Sequence, residues 1–254
     1  MLAAMTAKRR MTWISFVLLS LLLGPIGCAM VMQRTGMAPH WSQARWDRSM
    51  LAPDPATTPE AVVQIFAART WGWKAAFAVH SWIVFKPENA KAYERYEVVG
   101  WGVHRGTPAV RRNMRPPDGF WAGNAPELVA ELRGGAAAAA IPEIEQAIAS
   151  YPHPTTYVTW PGPNSNTFIG HIARNVPSLR AELPPTAVGK DFLTSGIFSR
   201  APSGTGYQLS LLGLVGILLA LDEGFEINVL GLVLGIDPLD LAVKLPGLGR
   251  IGWR

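Results

Sequence analysis

The sequence predicts an α+β domain held at a membrane by one N-terminal helix, and three observations predict it. Residues Thr12–Met32 form an uncharged, mostly apolar run of about the ~20 residues that a bilayer-spanning helix needs. Between residues 61 and 104, three segments carry the β-branched and aromatic composition of strands, separated by polar turns. Beyond them, Ala136–Tyr151 places Ile141, Ile144 and Ile148 on one face of a helix.

The bulk numbers fit that picture. Of the 254 residues, 49% are hydrophobic and 16% charged, short of the roughly 25% charged of soluble domains, which points to a membrane or envelope setting. The net charge of +5 is dispersed, with no basic stripe, so nucleic acid is not expected as a partner. With 25 glycines and 21 prolines the chain has many turns, and its single cysteine, Cys28, excludes an intrachain disulfide and a Cys-based zinc site. No His, Asp or Glu spacing suits a metal, and no cofactor is expected.

Residues 1–11 are a basic segment whose Lys8, Arg9 and Arg10 orient the N-terminus toward the cytoplasm. Everything after Met32 is then exported, giving a single-pass inner-membrane protein with its C-terminal domain in the periplasm. Residues 12–32 suit an uncleaved anchor, a cleaved signal, or a lipoprotein signal ending at Cys28. The anchor ranks first, because the apolar run continues past Cys28 to Met32 and Pro25 sits where lipoprotein signals resemble one another in carrying Leu. Residues 33–60 are a polar linker rich in turn formers.

Within residues 61–200, strands are expected at Ala61–Ala68, Ala75–Phe85 and Tyr93–His104, the last two as antiparallel neighbours. A basic, aromatic and proline-rich loop at 105–127 is long enough to border a site. The helix at Ala136–Tyr151 would hold Pro142 in its first turn if it began near Ile141. A strand at Thr155–Trp160 and a helix opening near Asn164 follow, and Pro177 ends that helix by Asn175. Residues 201–254 contain two similar pieces, LGLVGI at Leu212–Ile217 and LGLVLGI at Leu230–Ile236, separated by Asp222, Glu223 and Glu226. Each is too short to span a bilayer, which suggests a buried β-hairpin, with a hairpin on the membrane surface as the alternative.

Ser165 would stand at a helix N-terminus, where free N–H groups and the positive end of the dipole favour developing negative charge. Asn164 and Ser165 are equally ordinary capping residues. A base would come from the histidines. His40 and His153 fall in surface segments, and His171 lies too far along the helix from Ser165. His80 interrupts the apolar run FAVHSWIVF, where a polar ring needs a partner, and His104 closes the next strand. Gly189-Lys190-Asp191 offers a Ser-Lys alternative but reads as a surface loop, and Ser203-Gly204-Thr205-Gly206 reads as a turn.

The order of these residues, His80-x-Trp82-Ile83, a polar residue on the following strand, then Asn164-Ser165-x-x-Phe168, resembles the circularly permuted papain-like amidases of the NlpC group and the lecithin retinol acyltransferases. That resemblance implies a permuted papain-like sheet with helices. It puts Ser165 where those enzymes carry a nucleophilic cysteine, His80 at the base and His104 at the third position, with Asn164, Asn166, Trp82 and Trp160 contacting substrate. Serine holds its proton far more tightly than cysteine, a departure from the pattern. The segments AVHSWIVFK, YEVVGWG, YVTWPGPNSNTFIGHIARNVPSL, ELPPTAVGKDF, SGTGYQLSLLG and VKLPGLGRIG, in that order, resemble the bacterial family of domain of unknown function 3750. Together these imply an exported domain that binds an amide or ester of the cell wall or of lipid, either without turnover or as a serine hydrolase or acyltransferase using Ser165 and His80.

Overall fold

The computed structural model describes residues 7–33 and 41–252; residues 1–6, and His40 in the linker, lie outside them. Helix α1 (Ala7–Gln33) contains the stretch Arg9–Met32, 24 residues long and apolar enough to cross a membrane. At ~1.5 Å per residue that stretch is about 36 Å long, enough for a hydrocarbon core of about 30 Å. Its side chains are exposed along most of its length, and only near its end, at Ala29, does the helix bury a residue. There it packs on a short 3-10 turn, Gly72–Ala76.

A five-stranded antiparallel sheet follows, in the order β4-β3-β2-β1-β5: β1 (Val62–Arg69), β2 (Val79–Lys86), β3 (Glu94–Val98), β4 (Val110–Arg112) and β5 (Glu127–Arg133). The expected antiparallel pairing of the second and third strands holds, with Trp82 opposite Glu97 and Ile83 opposite Tyr96. The second strand begins later than expected, because Phe77 and Ala78 N–H both bond Lys74 O and close the turn before Val79. The third ends early. A Cβ on Gly100 would lie 2.6 Å from the Tyr157 ring, and Gly102 turns the chain at φ 79°.

Helix α2 (Gly134–Ala149) begins well before Ile141, so Pro142 lies inside it rather than in its first turn and removes one backbone bond there. Thr155–Trp160 is irregular, not a strand. Pro154, Pro161 and Pro163 have no N–H to give a ladder, and Val158 N–H folds back onto Pro163 O at 2.8 Å. Helix α3 (Ser165–Asn175) then starts and stops where expected, with Asn164 as N-cap. Alternation divides the first sheet. Val63, Ile65, Ile83 and Phe85 face α2 and α3, whereas Phe66, Trp82 and Val84 face a second core that contains Ala52, Trp121 and Ala122.

The C-terminal part is larger than a hairpin. β6 (Phe198–Arg200), β7 (Gly206–Leu211), β8 (Val215–Ala220), β9 (Gly224–Val229), β10 (Leu232–Asp237), β11 (Ala242–Leu245) and β12 (Gly249–Ile251) form a seven-stranded antiparallel meander in chain order. The two similar pieces are turn-plus-strand units. Leu212-Gly213 and Leu230-Gly231, all four at positive φ, make the tight turns: three residues, 212–214, join β7 to β8, and two, Leu230-Gly231, join β9 to β10.

Candidate functional site

The loop Trp160-Pro161-Gly162-Pro163 delivers the chain to α3 with a capping box. Asn164 Oδ1 accepts from the N–H groups of Asn166 (3.0 Å) and Thr167 (3.2 Å), and the Thr167 hydroxyl accepts from Asn164 N–H. The cap is itself fixed, since Asn164 Nδ2 donates to Thr159 O and Val188 O. This arrangement leaves Ser165 at the first helical position. Among the described residues, neither its N–H nor its hydroxyl has a hydrogen-bond partner.

Asn166 ties the start of α3 to β2. Its Oδ1 accepts from Ser81 Oγ at 2.7 Å, and its Nδ2 donates to Val79 O at 3.0 Å. The residues on either side of His80 are thus bonded to the residue after Ser165. By strand alternation, His80 itself points to the other face of the sheet. Its ring stacks on Trp121 with centroids 3.5 Å apart and an interplanar angle of 10°, and its Nε2 lies 2.8 Å from Glu97 Oε2. Its Nδ1 has no hydrogen-bond partner among the described residues.

Glu97 is wholly buried and held by Arg95 through two bonds, Nε to Oε1 at 2.8 Å and Nη2 to Oε2 at 3.0 Å. Arg95 in turn donates to Pro116 O and lies 4.2 Å above the Trp82 ring. Burial works against ionising Glu97, but the Arg95 charge and the His80 hydrogen bond outweigh it and hold the carboxyl down at about 2. Burial likewise pushes His80 below the ordinary imidazole value, and the bond to Glu97 offsets this in part. An ionised Glu97 can only accept, so the neutral ring carries its proton on Nε2 and presents Nδ1 as a base.

His80 and Ser165 approach from opposite faces of the sheet around the first residues of β2, and both line one cleft of about 1190 Å³. No hydrogen bond joins them. The cleft is walled by Trp71, Trp101, Trp121 and Tyr157, and by Ile26 and Met30 of α1. Asn164, Asn166, Trp160 and His104 also line it. His104 is exposed on the 3-10 turn Val103–Arg105, and the position beside His80 Nε2 belongs to Glu97. Trp82 does not reach the cleft. It is fully buried, and its indole N–H donates to Pro117 O at 2.7 Å.

Lys190 and Asp191 are buried rather than in a surface loop. Lys190 Nζ is 2.6 Å from Glu226 Oε2 and 3.0 Å from Asp191 Oδ1, and these carboxylates outweigh desolvation and raise its pKa. It is thus a fixed cation, not a base for Ser165. His171 bonds Ala147 O and Thr194 Oγ1, away from the cleft. Among the described residues, no group of three His, Cys, Asp or Glu is placed to hold a metal ion.

Residues 60–192, more than half of the chain, match the family model described as Protein of unknown function (DUF3750). The chain belongs to that family. No curated protein and no solved structure matches it. The DUF3750 segment carries the first sheet, α2, α3 and the cap, with Ser165, His80, Glu97 and Arg95 all inside it. Helix α1, which contributes Ile26 and Met30 to the cleft, and the second sheet, which contributes Leu230 and Leu232, lie outside the DUF3750 segment.

Proposed function

We propose that this cleft binds the apolar part of an acyl ester or amide and that Ser165 attacks its carbonyl, as a serine hydrolase or acyltransferase with a permuted papain-like plan. One observation carries this reading. Ser165 and His80 line one apolar cleft, the Ser165 hydroxyl and His80 Nδ1 have no hydrogen-bond partner among the described residues, and the far nitrogen of that histidine is anchored on a buried carboxylate. As Oγ bonds to the acyl carbon, its proton reaches His80 Nδ1, on the opposite face of the sheet, through one bridging water at the cleft. The Ser165 N–H, left over by the Asn164 cap at the positive end of α3, faces the oxyanion. Collapse of the tetrahedral adduct expels the alcohol or amine, which takes the proton back from His80. A water or a second alcohol then accepts the acyl group by the reverse steps.

Within this reading, α1 is a single-pass anchor of the bacterial inner membrane with the domain on the periplasmic side. A reporter fused after Thr35 is then active only in the periplasm, and cytoplasmic activity overturns that topology. A second reading, a binding module without turnover, is favoured by the missing Ser165–His80 hydrogen bond. Catalytic bonds are often long before substrate arrives, so the distinction is chemical. Fluorophosphonate labelling of the full chain should be lost in Ser165→Ala and strongly slowed in His80→Ala. Labelling that survives both substitutions removes the catalytic reading. Wild-type protein that never labels, yet takes up a long-chain acyl ligand, establishes the binding reading.

A further inference from the structure

The second sheet is built inside out. Along β7, Tyr207, Leu209 and Leu211 are exposed while Gln208 and Ser210 are buried; along β9, Phe225 and Ile227 point out while Glu226 and Asn228 point in. The register aligns the outward residues into rows. Tyr207, Leu219, Phe225, Ile236, Val243 and Ile251 form one row across six strands. Leu209, Ile217, Ile227 and Leu234 form the next, and Leu211, Val215, Val229 and Leu232 the third. None of these residues is charged. At ~4.8 Å between strands the longest row is roughly 24 Å wide, larger than the apolar patches soluble monomers normally show to water.

The inward face has the opposite character. Glu226 is held by Lys190 and by Lys244 (2.8 Å), and Lys244 also by Glu182 (2.8 Å). The sheet therefore presents its charges to the rest of the protein and its hydrocarbon to the outside.

We infer that this outward face lies on a lipid bilayer, the one that α1 enters. Three observations select lipid over another occupant. The end of α1 packs against β10 and β11, and a Cβ on Gly247, in the turn after β11, would lie 3.1 Å from Ile26 Cα. Leu232, which ends the third row, shares the cleft wall with Ile26 and Met30, so the apolar surface of the sheet runs on into that of the helix. Exposed Trp71 and Trp73 sit at the same end of α1, as aromatic residues do at a membrane interface. A bilayer entered by α1 covers the end of the helix and the adjoining sheet face together, which a partner seated on the sheet alone would not.

The inference rests on α1 as the membrane segment, and the test separates the two. Full-length Cys28→Ser protein carries a single nitroxide at Leu18→Cys, Ile217→Cys, Ile227→Cys or Asp240→Cys, in vesicles of phosphatidylethanolamine and phosphatidylglycerol. The label at 18 reports on α1, the labels at 217 and 227 on the outward face, and the label at 240 on an exposed acidic turn. Labels at 217 and 227 should be relaxed more by oxygen than by a water-soluble nickel complex, the reverse of 240. A nickel preference at 217 and 227 with oxygen preference at 18 overturns the sheet's membrane contact and leaves α1 in place. Nickel preference at all four removes both. Dipolar broadening at 217 or 227 that vanishes on dilution with unlabelled protein assigns the face to a second copy and also overturns the inference.

Discussion

The three residues of the buried cluster beside the cleft, His80, Glu97 and Arg95, differ in how far their sequence shows them. His80 stood out because an imidazole inside FAVHSWIVF needs a partner. Its partner did not, because Glu97 in YERYEVV looks like one outward position of a strand, and only the β2–β3 register sets it opposite Trp82 on the buried face. His104, expected at the end of that strand and given the third position by the family resemblance, stands exposed on a 3-10 turn instead. Glu97→Gln keeps one acceptor oxygen, which the Arg95 guanidinium claims, and turns an NH2 donor toward His80 Nε2, so the ring carries its proton on Nδ1 instead and the fluorophosphonate labelling rate should fall by up to ~10⁴-fold. The wild-type rate should rise with pH through a midpoint below 6.5, since burial makes His80 release its proton early. The same groups govern acid stability. Folded His80 binds a proton less readily than the unfolded chain, so stability falls as pH drops below about 6.5, and Glu97 adds a loss from about 4.5 down toward 2. In thermal unfolding against pH, the lower component should be missing in Glu97→Gln. Glu97→Ala, which leaves Arg95 buried and unpaired, should cost about 3–5 kcal/mol in denaturant titration.

Helix α3 was legible because its start and stop are written in adjacent residues, a cap after Pro-Gly-Pro and a proline beyond Val176. The neighbouring Thr155–Trp160 was misjudged because strand composition says nothing of where the N–H groups go, and here the prolines and the bond from Val158 to Pro163 divert them. The meander was hidden behind its turns. Strict alternation in GYQLSL and GFEINV marks β7 and β9, but the Leu-Gly pairs look like apolar sequence, although they lie in the tight turns. The cap at Asn164 serves the helix and the site at once. Asn164→Ala should cost about 0.5–2 kcal/mol for the cap alone, more with its bonds to Thr159 and Val188, and should slow labelling of Ser165 by displacing it. Gly189→Ala is a sharper probe of the same element. Its Cβ would collide with the Asn164 side-chain amide at a φ of +99°, so both stability and labelling should drop although no site atom is removed.

Across the molecule, the cleft is assembled from three parts distant in the chain: the end of α1, the DUF3750 segment, and the Leu230 turn of the second sheet. No local pattern could show this, since the apolar run at the N-terminus is explained by membrane spanning alone and the second sheet by its own alternation. The buried Lys190–Glu226–Lys244 cluster joins the sheet to that segment, as Lys190 follows α3 while Glu226 and Lys244 lie on β9 and β11. If α1 forms a wall of the acyl cleft, affinity should depend on chain length in a way the helix controls. A buried methylene is worth about 0.8 kcal/mol, so binding of a homologous series of acyl chains, followed by quenching of the Trp101 and Trp121 fluorescence, should tighten roughly fourfold per methylene until the cleft is filled. Met30→Asp should flatten that dependence for long chains while leaving the labelling rate by a small fluorophosphonate unchanged. An unaltered chain-length profile in Met30→Asp would show that the acyl chain runs elsewhere in the cleft, away from the helix.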